Sequence, residues 1–351
     1  MRPLTGRITS GDAEPGLYQV ADADGLILDR RDAPGQVAIA VDPAMRQPER
    51  GDLVSVIPGR MLRTLYRSSA QDNFLFLTNR CQNRCTFCSQ PPTVHADDWL
   101  IAEVLQAIAH LPRGIASVGI TGGEPTLAGP GLLAVLAALT AHHPTCAIHL
   151  LSNGRNFAWL GLAQRVAAIG CADLVVGVPI HADSPPAHDA IAGSAGAWGE
   201  TVRGCLALAR CGIAVEIRVV LVRDNVARLE QLAAWITRNM PFVVHVAWMA
   251  QEVTGYAATA GDRVWVNPES YHVQLRRAVT LIQRWGIRTS IYNLPHCWMP
   301  ADLWPWAVKS ISSWKVEHPD ACTGCRQLAA CSGLFATGTR LTPRPFHQSA
   351  C

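Results

Sequence analysis

The stretch Asn73-Phe-Leu-Phe-Leu-Thr-Asn-Arg-Cys81-Gln-Asn-Arg-Cys85-Thr-Phe-Cys88 places three thiols within eight residues, directly behind a short apolar run. A loop that short can fold all three sulfurs around one metal centre. Three sulfurs are one too few for a closed structural zinc site, and the spacing is not the double CxxC of a zinc ribbon. A 4Fe-4S cluster bound by three thiolates leaves one iron open to an outside ligand. The spacing favours an iron-sulfur centre; the alternative is a zinc or redox CxxC in which Cys81 is incidental.

Working outward, Phe74–Leu77 is the first of six strand-like runs, each followed by a helix-like stretch. The strands are Phe74–Leu77, Ala116–Ile120, Cys146–Leu151, Leu174–Ile180, Ile213–Val222 and Phe242–Met249, and the helices span Asp97–Leu111, Leu132–His142, Phe157–Ala168, Gly199–Cys211, Val226–Met240 and Tyr271–Trp285. Six βα units in succession predict a parallel α/β sheet closed or partly closed as a (β/α)6 barrel over residues 73–292, with Arg288–Tyr292 as a further strand. Residues 1–72 carry short β-favouring runs broken by Gly, Asp and Pro, which predicts a small all-β module. Residues 293–351 form a third region rich in Trp, Pro and Cys.

Composition narrows the function classes. Charged residues are 16% of the chain, and 30 basic against 27 acidic residues leave a net charge of +3. That balance supplies no strong phosphate-neutralising field and argues against nucleic acid as partner. Met1 to Asp32 lacks the basic start, apolar run and cleavage site of a secretory signal, and no apolar run approaches the roughly 18 residues that span a bilayer. The expectation is a cytoplasmic chain with no membrane segment. In a reducing compartment, twelve cysteines point to metal ligands rather than disulfides.

On the C-terminal face of such a barrel the strand-end turns carry the active site. After the first strand stand Cys81, Cys85 and Cys88; after the second, Thr121-Gly122-Gly123-Glu124-Pro125; after the third, Ser152-Asn153-Gly154-Arg155; after the fourth, His181-Ala-Asp183. The two glycines let the backbone approach a ligand, and Glu124 adds a charge suited to an ammonium group. Met249, after the sixth strand, is either core or an adenine neighbour. Arg218 is either a cofactor contact or a salt-bridged interior residue, and His181 reads as a hydrogen-bonded structural histidine.

The triad, the Gly-Gly-Glu-Pro turn and the six βα units resemble the radical S-adenosylmethionine (radical SAM) superfamily over about Asn73 to Tyr292. The resemblance implies that Cys81, Cys85 and Cys88 hold a 4Fe-4S cluster whose open iron binds S-adenosylmethionine. One-electron cleavage then yields a 5′-deoxyadenosyl radical that abstracts hydrogen from substrate. It further implies that Phe87 packs on adenine, that Gly122, Gly123, Glu124 and Pro125 hold the methionine amino group, and that Ser152, Asn153 and Arg218 contact carboxylate and ribose.

Cys297, Cys322-Thr-Gly-Cys325 and Cys331 are a second ligand set that closes a four-thiolate site, for which zinc and 4Fe-4S both have the right count. Similarity to the auxiliary-cluster extensions of radical SAM enzymes favours a second 4Fe-4S cluster. Six of the eleven tryptophans lie from Trp265 to Trp314; with few basic residues among them they read as packing around that cluster rather than a base-stacking platform. Cys146, Cys171, Cys205 and Cys211 read as buried inert thiols, and Cys351 as part of a loose terminus.

Five segments, Leu65–Ser69 through Cys81, Cys88–Pro92, Met249–Tyr256, Ser290–Asn293 and Ser310–Lys315, are similar to the C-type His-Xaa-Ser system radical SAM maturases across about Gly51 to Phe335. Met249-Ala-Gln-Glu252 departs from the Met-Gly-x-Glu of that family. The similarity implies a bacterial maturase acting on a protein with His-Xaa-Ser repeats, beside a second radical SAM protein and an electron donor such as flavodoxin or ferredoxin. A radical SAM enzyme of a small molecule or RNA, and a structural zinc-binding interaction protein, are the alternatives.

Overall fold

The computed structural model describes residues 47–57, 61–309 and 316–335, together with short strands between residues 4 and 41. The chain divides into two compact units, one of residues 1–78, 95–149 and 169–173, the other of residues 79–94, 150–168 and 174–351.

The N-terminal strands are β1 (Leu4–Gly6), β2 (Ile8–Ser10), β3 (Gly16–Asp22), β4 (Ile27–Arg30), β5 (Gln36–Ala38), β6 (Ala40–Val41), β7 (Leu53–Ile57) and β8 (Met61–Tyr66). Six of them form an antiparallel sheet in the order β1-β8-β7-β3-β4-β5, and β2 pairs with β6. Alternation buries Tyr18, Val20, Val41, Val54, Val56 and Leu62 in one core, as a sheet with one dry face requires. Asp52, fully buried, accepts from the Ser68 amide at 2.8 Å and pairs with Arg67 at 3.3 Å.

The second sheet has eight strands in unbroken chain order: β9 (Phe74–Phe76), β10 (Ser117–Thr121), β11 (Ala147–Leu151), β12 (Asp173–Pro179), β13 (Ala214–Leu221), β14 (His245–Ala250), β15 (Arg288–Tyr292) and β16 (Ala307–Val308). The registers are parallel, and near-continuous Val, Ile and Leu in β13 reflect burial on both faces. Helices α1 (Trp99–Ile108), α2 (Pro130–His142), α3 (Leu160–Ala167), α4 (Pro185–Ala192), α5 (Ala197–Arg210), α6 (Leu229–Asn239), α7 (Tyr256–Ala260) and α8 (His272–Arg284) connect them.

The α/β expectation holds, with three additions. A helix precedes the expected one after β12: Pro185 and Pro186 preset its first turn and Gly193, at φ 60°, ends it. The short helix α7 follows β14, and the Trp-rich segment contributes β16 as an eighth strand. The Ser310–Lys315 segment and Cys351 lie outside the described residues.

Candidate active site

Cys81, Cys85 and Cys88 occupy one loop of the second unit, all partly buried. Two backbone bonds fix the loop to the end of α4: the Arg84 amide donates to the Ala192 carbonyl and the Thr86 amide to the Ile191 carbonyl, each at 3.0 Å. Arg155, from the turn after β11, donates to Glu200 at 2.6 Å, to Asn83 Oδ1 at 2.6 Å and to Ser194 Oγ at 2.8 Å. It thus clamps the loop to α5. On the other side the Tyr256 amide donates to the Cys88 carbonyl at 2.8 Å and Thr254 Oγ1 to the Ser89 carbonyl at 3.3 Å. A Cβ on Gly255, at φ 58°, would meet that Cys88 carbonyl at 2.4 Å.

Around the sulfurs, the Asn83 amide points at Cys81 Sγ at 3.4 Å, with Asn153 Nδ2 at 3.8 Å. Burial, then the neighbouring Cys88 and Cys81, push the Cys85 thiol up to about 12; burial also raises Cys88. Among the described residues no three His, Cys, Asp or Glu side chains already stand as a metal cage. The donor set nonetheless fits an iron-sulfur group: three thiols on one anchored loop, mutually close enough to repel as thiolates, with amide hydrogens aimed at a sulfur.

Of the predicted cofactor residues, Asn153 reaches Cys81 Sγ and Phe87 lies in the loop itself. Asn153 Oδ1 accepts from the Arg155 amide at 3.0 Å, and Ser152 Oγ from the Gly154 amide at 3.1 Å. Phe87 meets His181 edge-on at 4.9 Å between ring centroids and packs against Ile191, Val222 and Val264. His181 is buried and stacks on His188 at 5.6 Å; its backbone amide donates to His188 Nδ1 at 3.1 Å, while its own ring Nδ1 is buried without a partner. Arg218 is salt-bridged, the second of the two roles weighed for it: it pairs with Glu216 at 2.7 Å, and its Nη2 lies 3.2 Å from Met249 Sδ. Glu216 also meets His245 Nδ1 at 2.7 Å, and His245 Nε2 lies 3.0 Å from Ser290 Oγ.

In the first unit, Gly122 has no room for a side chain, since a Cβ would meet the Thr78 carbonyl at 2.7 Å, and the Gly123 amide donates to that carbonyl at 2.6 Å. Glu124 is fully buried; its Oε1 accepts from the Thr126 amide at 3.0 Å and hydroxyl at 2.5 Å, capping the turn that Pro125 opens.

The second cysteine set repeats the local pattern. The Gln327 amide lies 3.4 Å from Cys325 Sγ, and the Gly333 and His296 amides each 3.4 Å from Cys331 Sγ. Burial, then Cys331 and Cys325, raise Cys322. Beside Cys297, His296 stacks on Trp304 at 5.0 Å and 10°. Of the remaining thiols Cys205 is fully buried and pushed up to about 12, Cys146 is buried, and Cys171 and Cys211 are partly exposed.

Arg155 and Glu200, which hold the loop, and Glu216 and His245, which pair beside Arg218, lie outside the expected site residues. Arg155 had one signal, its place in a strand-end turn; the others have none without the fold.

Residues 75–236 match the radical SAM superfamily. The chain is 36% identical over 147 residues to the GTP 3′,8-cyclase of Mycobacterium ulcerans (strain Agy99), covering 39% of this chain and 38% of that protein. It is 33% identical over 194 residues to the GTP 3′,8-cyclase of Mycobacterium sp. (strain KMS), covering 52% and 50%. The chain thus spans half or less of the length of these curated relatives. Among solved structures, Streptococcus suis SuiB bound to precursor peptide SuiA superposes with a TM-score of 0.50 at 15% identity, over 64% of this chain and 49% of that one, which speaks to the fold. No helix among the described residues is long and apolar enough to cross a membrane. Through residues 75–236, the chain carries a domain of the radical SAM superfamily of enzymes.

Proposed function

We propose that this chain cleaves S-adenosylmethionine reductively and uses the resulting radical to modify a peptide or protein, as a maturase of a protein with His-Xaa-Ser repeats. The observation that carries the proposal is the anchored three-thiol loop inside the radical SAM match. When bound by Cys81, Cys85 and Cys88, a 4Fe-4S cluster supplies the single electron that this cleavage requires. Arg155 holds the loop in place, the Asn83 amide and Asn153 stabilise charge on Cys81, and Arg218 offers a cation to an anionic group. Cys297, Cys322, Cys325 and Cys331 are proposed to hold a second 4Fe-4S cluster, with zinc as the competing occupant. A flavodoxin or ferredoxin would supply electrons, and a second radical SAM protein would act beside this one. The β-module of residues 1–72 and the Cys-rich segment of residues 293–351 flank the proposed catalytic region.

Anaerobic reconstitution with iron and sulfide, reduction, and assay of 5′-deoxyadenosine test this directly. Release is expected from the parent chain and lost in Cys85→Ala; full release in that variant would overturn the assignment. Iron per chain is expected to fall by roughly half in Cys325→Ala if the second set holds a cluster. The curated relatives support a second reading, a nucleotide substrate. Turnover of a His-Xaa-Ser peptide but not GTP, followed by mass analysis, separates the two.

A further inference from the structure

The ends of β13, β14 and β15 frame a small recess, open in part to solvent. Trp265, Trp298, Tyr271 and Phe335 contribute aromatic walls, and among the described residues its lining holds no Lys, Arg, His, Asp or Glu. Besides the Tyr271 hydroxyl and the two indole N–H groups, its polar side-chain groups are the carboxamides of Gln251 and Asn293. Gln251 Oε1 and Nε2 and Asn293 Oδ1 are all shielded from water and have no hydrogen-bond partner. Buried polar atoms in native proteins are nearly always paired, so three that line one recess call for an occupant. Asn293 is also the one non-glycine residue with positive φ, 62°, among those described. Strain of that kind persists where the surroundings hold it, and it collects at ligand sites. Gln251 belongs to the segment that continues to Thr254, Gly255 and Tyr256, which dock on Ser89 and Cys88. One wall of the recess is therefore continuous with the contacts that hold the cysteine loop.

We infer that this recess is a substrate-reading subsite that takes an uncharged planar amide group of a peptide, between the Gln251 carboxamide and Asn293 Oδ1. The inference rests on the peptide reading above for the identity of the substrate. Gln251 supplies both a donor and an acceptor, Asn293 a second acceptor, and the aromatic walls suit a flat group. With no cation in the lining, nothing there would neutralise a phosphate or a carboxylate. The amide could come from the peptide backbone or from an Asn or Gln side chain.

Saturation-transfer NMR on the full chain, reconstituted anaerobically and without S-adenosylmethionine, tests it with N-methylpropionamide, its ester counterpart methyl propionate, propionamide and guanosine. The methylamide is expected to bind saturably and the ester at least tenfold more weakly, about 1.4 kcal/mol. Propionamide binding in place of the methylamide supports the subsite and assigns the side-chain source. Gln251→Leu and Asn293→Gly are each expected to weaken amide binding at least tenfold. Asn293→Gly is the cleaner variant, because glycine adopts the positive φ freely and only the carboxamide is removed. Saturable binding of guanosine but of neither amide overturns the inference, as does amide binding that both variants leave unchanged or no binding by any probe. Binding is read without turnover, so a chain that binds the amide but releases no 5′-deoxyadenosine overturns the proposed function and leaves the subsite standing.

Discussion

Glu216 is the residue on which two others depend, since one carboxylate oxygen meets Arg218 and the other His245, and its side chain is only 8% exposed. A buried guanidinium left without its partner is strongly destabilising, whereas removing both charges together is far less so. Glu216→Ala should lower unfolding free energy by about 3 kcal/mol, and Glu216→Gln combined with Arg218→Met should recover much of it. Denaturant melts of the single and double variants check this, and additive losses would show that the pair is not coupled. The spacing Glu216-Ile-Arg218 alone left the arginine's role open. What settles its pairing is the strand alternation that turns residues 216 and 218 to one side, with His245 in register opposite Glu216.

At the scale of elements, the loop of the cysteine triad depends on the short break between α4 and α5. Gly193 sits there at φ 60°, and a Cβ would meet the Arg84 carbonyl at 2.2 Å. That atom is backbone and cannot swing away. Gly193→Ala should cost about 2 kcal/mol from the left-handed strain and the clash together, and should reduce iron uptake by the triad. Quantifying iron after reconstitution, beside a thermal melt, reads both effects; normal iron with an unchanged melt would refute the anchoring role. Arg155→Met removes the other clamp and is expected to lower iron retention, with a smaller loss of global stability because the partner it leaves, Glu200, is 40% exposed and stays solvated. The βα rhythm was legible because buried parallel strands are continuous apolar runs. Helix α4 was not, because its eight residues begin with two prolines and carry little apolar periodicity. Strand β16 has two residues, too few for any period to show, and exists because β15 offers it an edge.

Across the molecule, stability should depend on pH through His181 and His188. Burial, then His188, holds His181 well below the ordinary imidazole range, and burial lowers His188 to about 4. Both rings are neutral when folded at pH 7. Between pH 6.5 and about 4 the unfolded chain takes up protons that the folded chain refuses, so stability falls as pH drops through that window. His188 alone accounts for on the order of 3 kcal/mol. His188→Asn keeps an acceptor for the His181 amide and should flatten the dependence; an unchanged pH profile of the melting temperature would count against it. The sequence by itself determined the thiol spacing, the order of strands and the turn residues between them, because these follow from neighbours a few positions apart. Only the tertiary structure decided which groups hold the loop, the buried charges and the recess: Arg155 reaches Asn83 across 72 residues, and Glu216 reaches His245 across 29. No local pattern encodes such pairs. They arise when parallel strands bring distant side chains into a space that excludes water, where each polar group must find a partner or wait for a ligand.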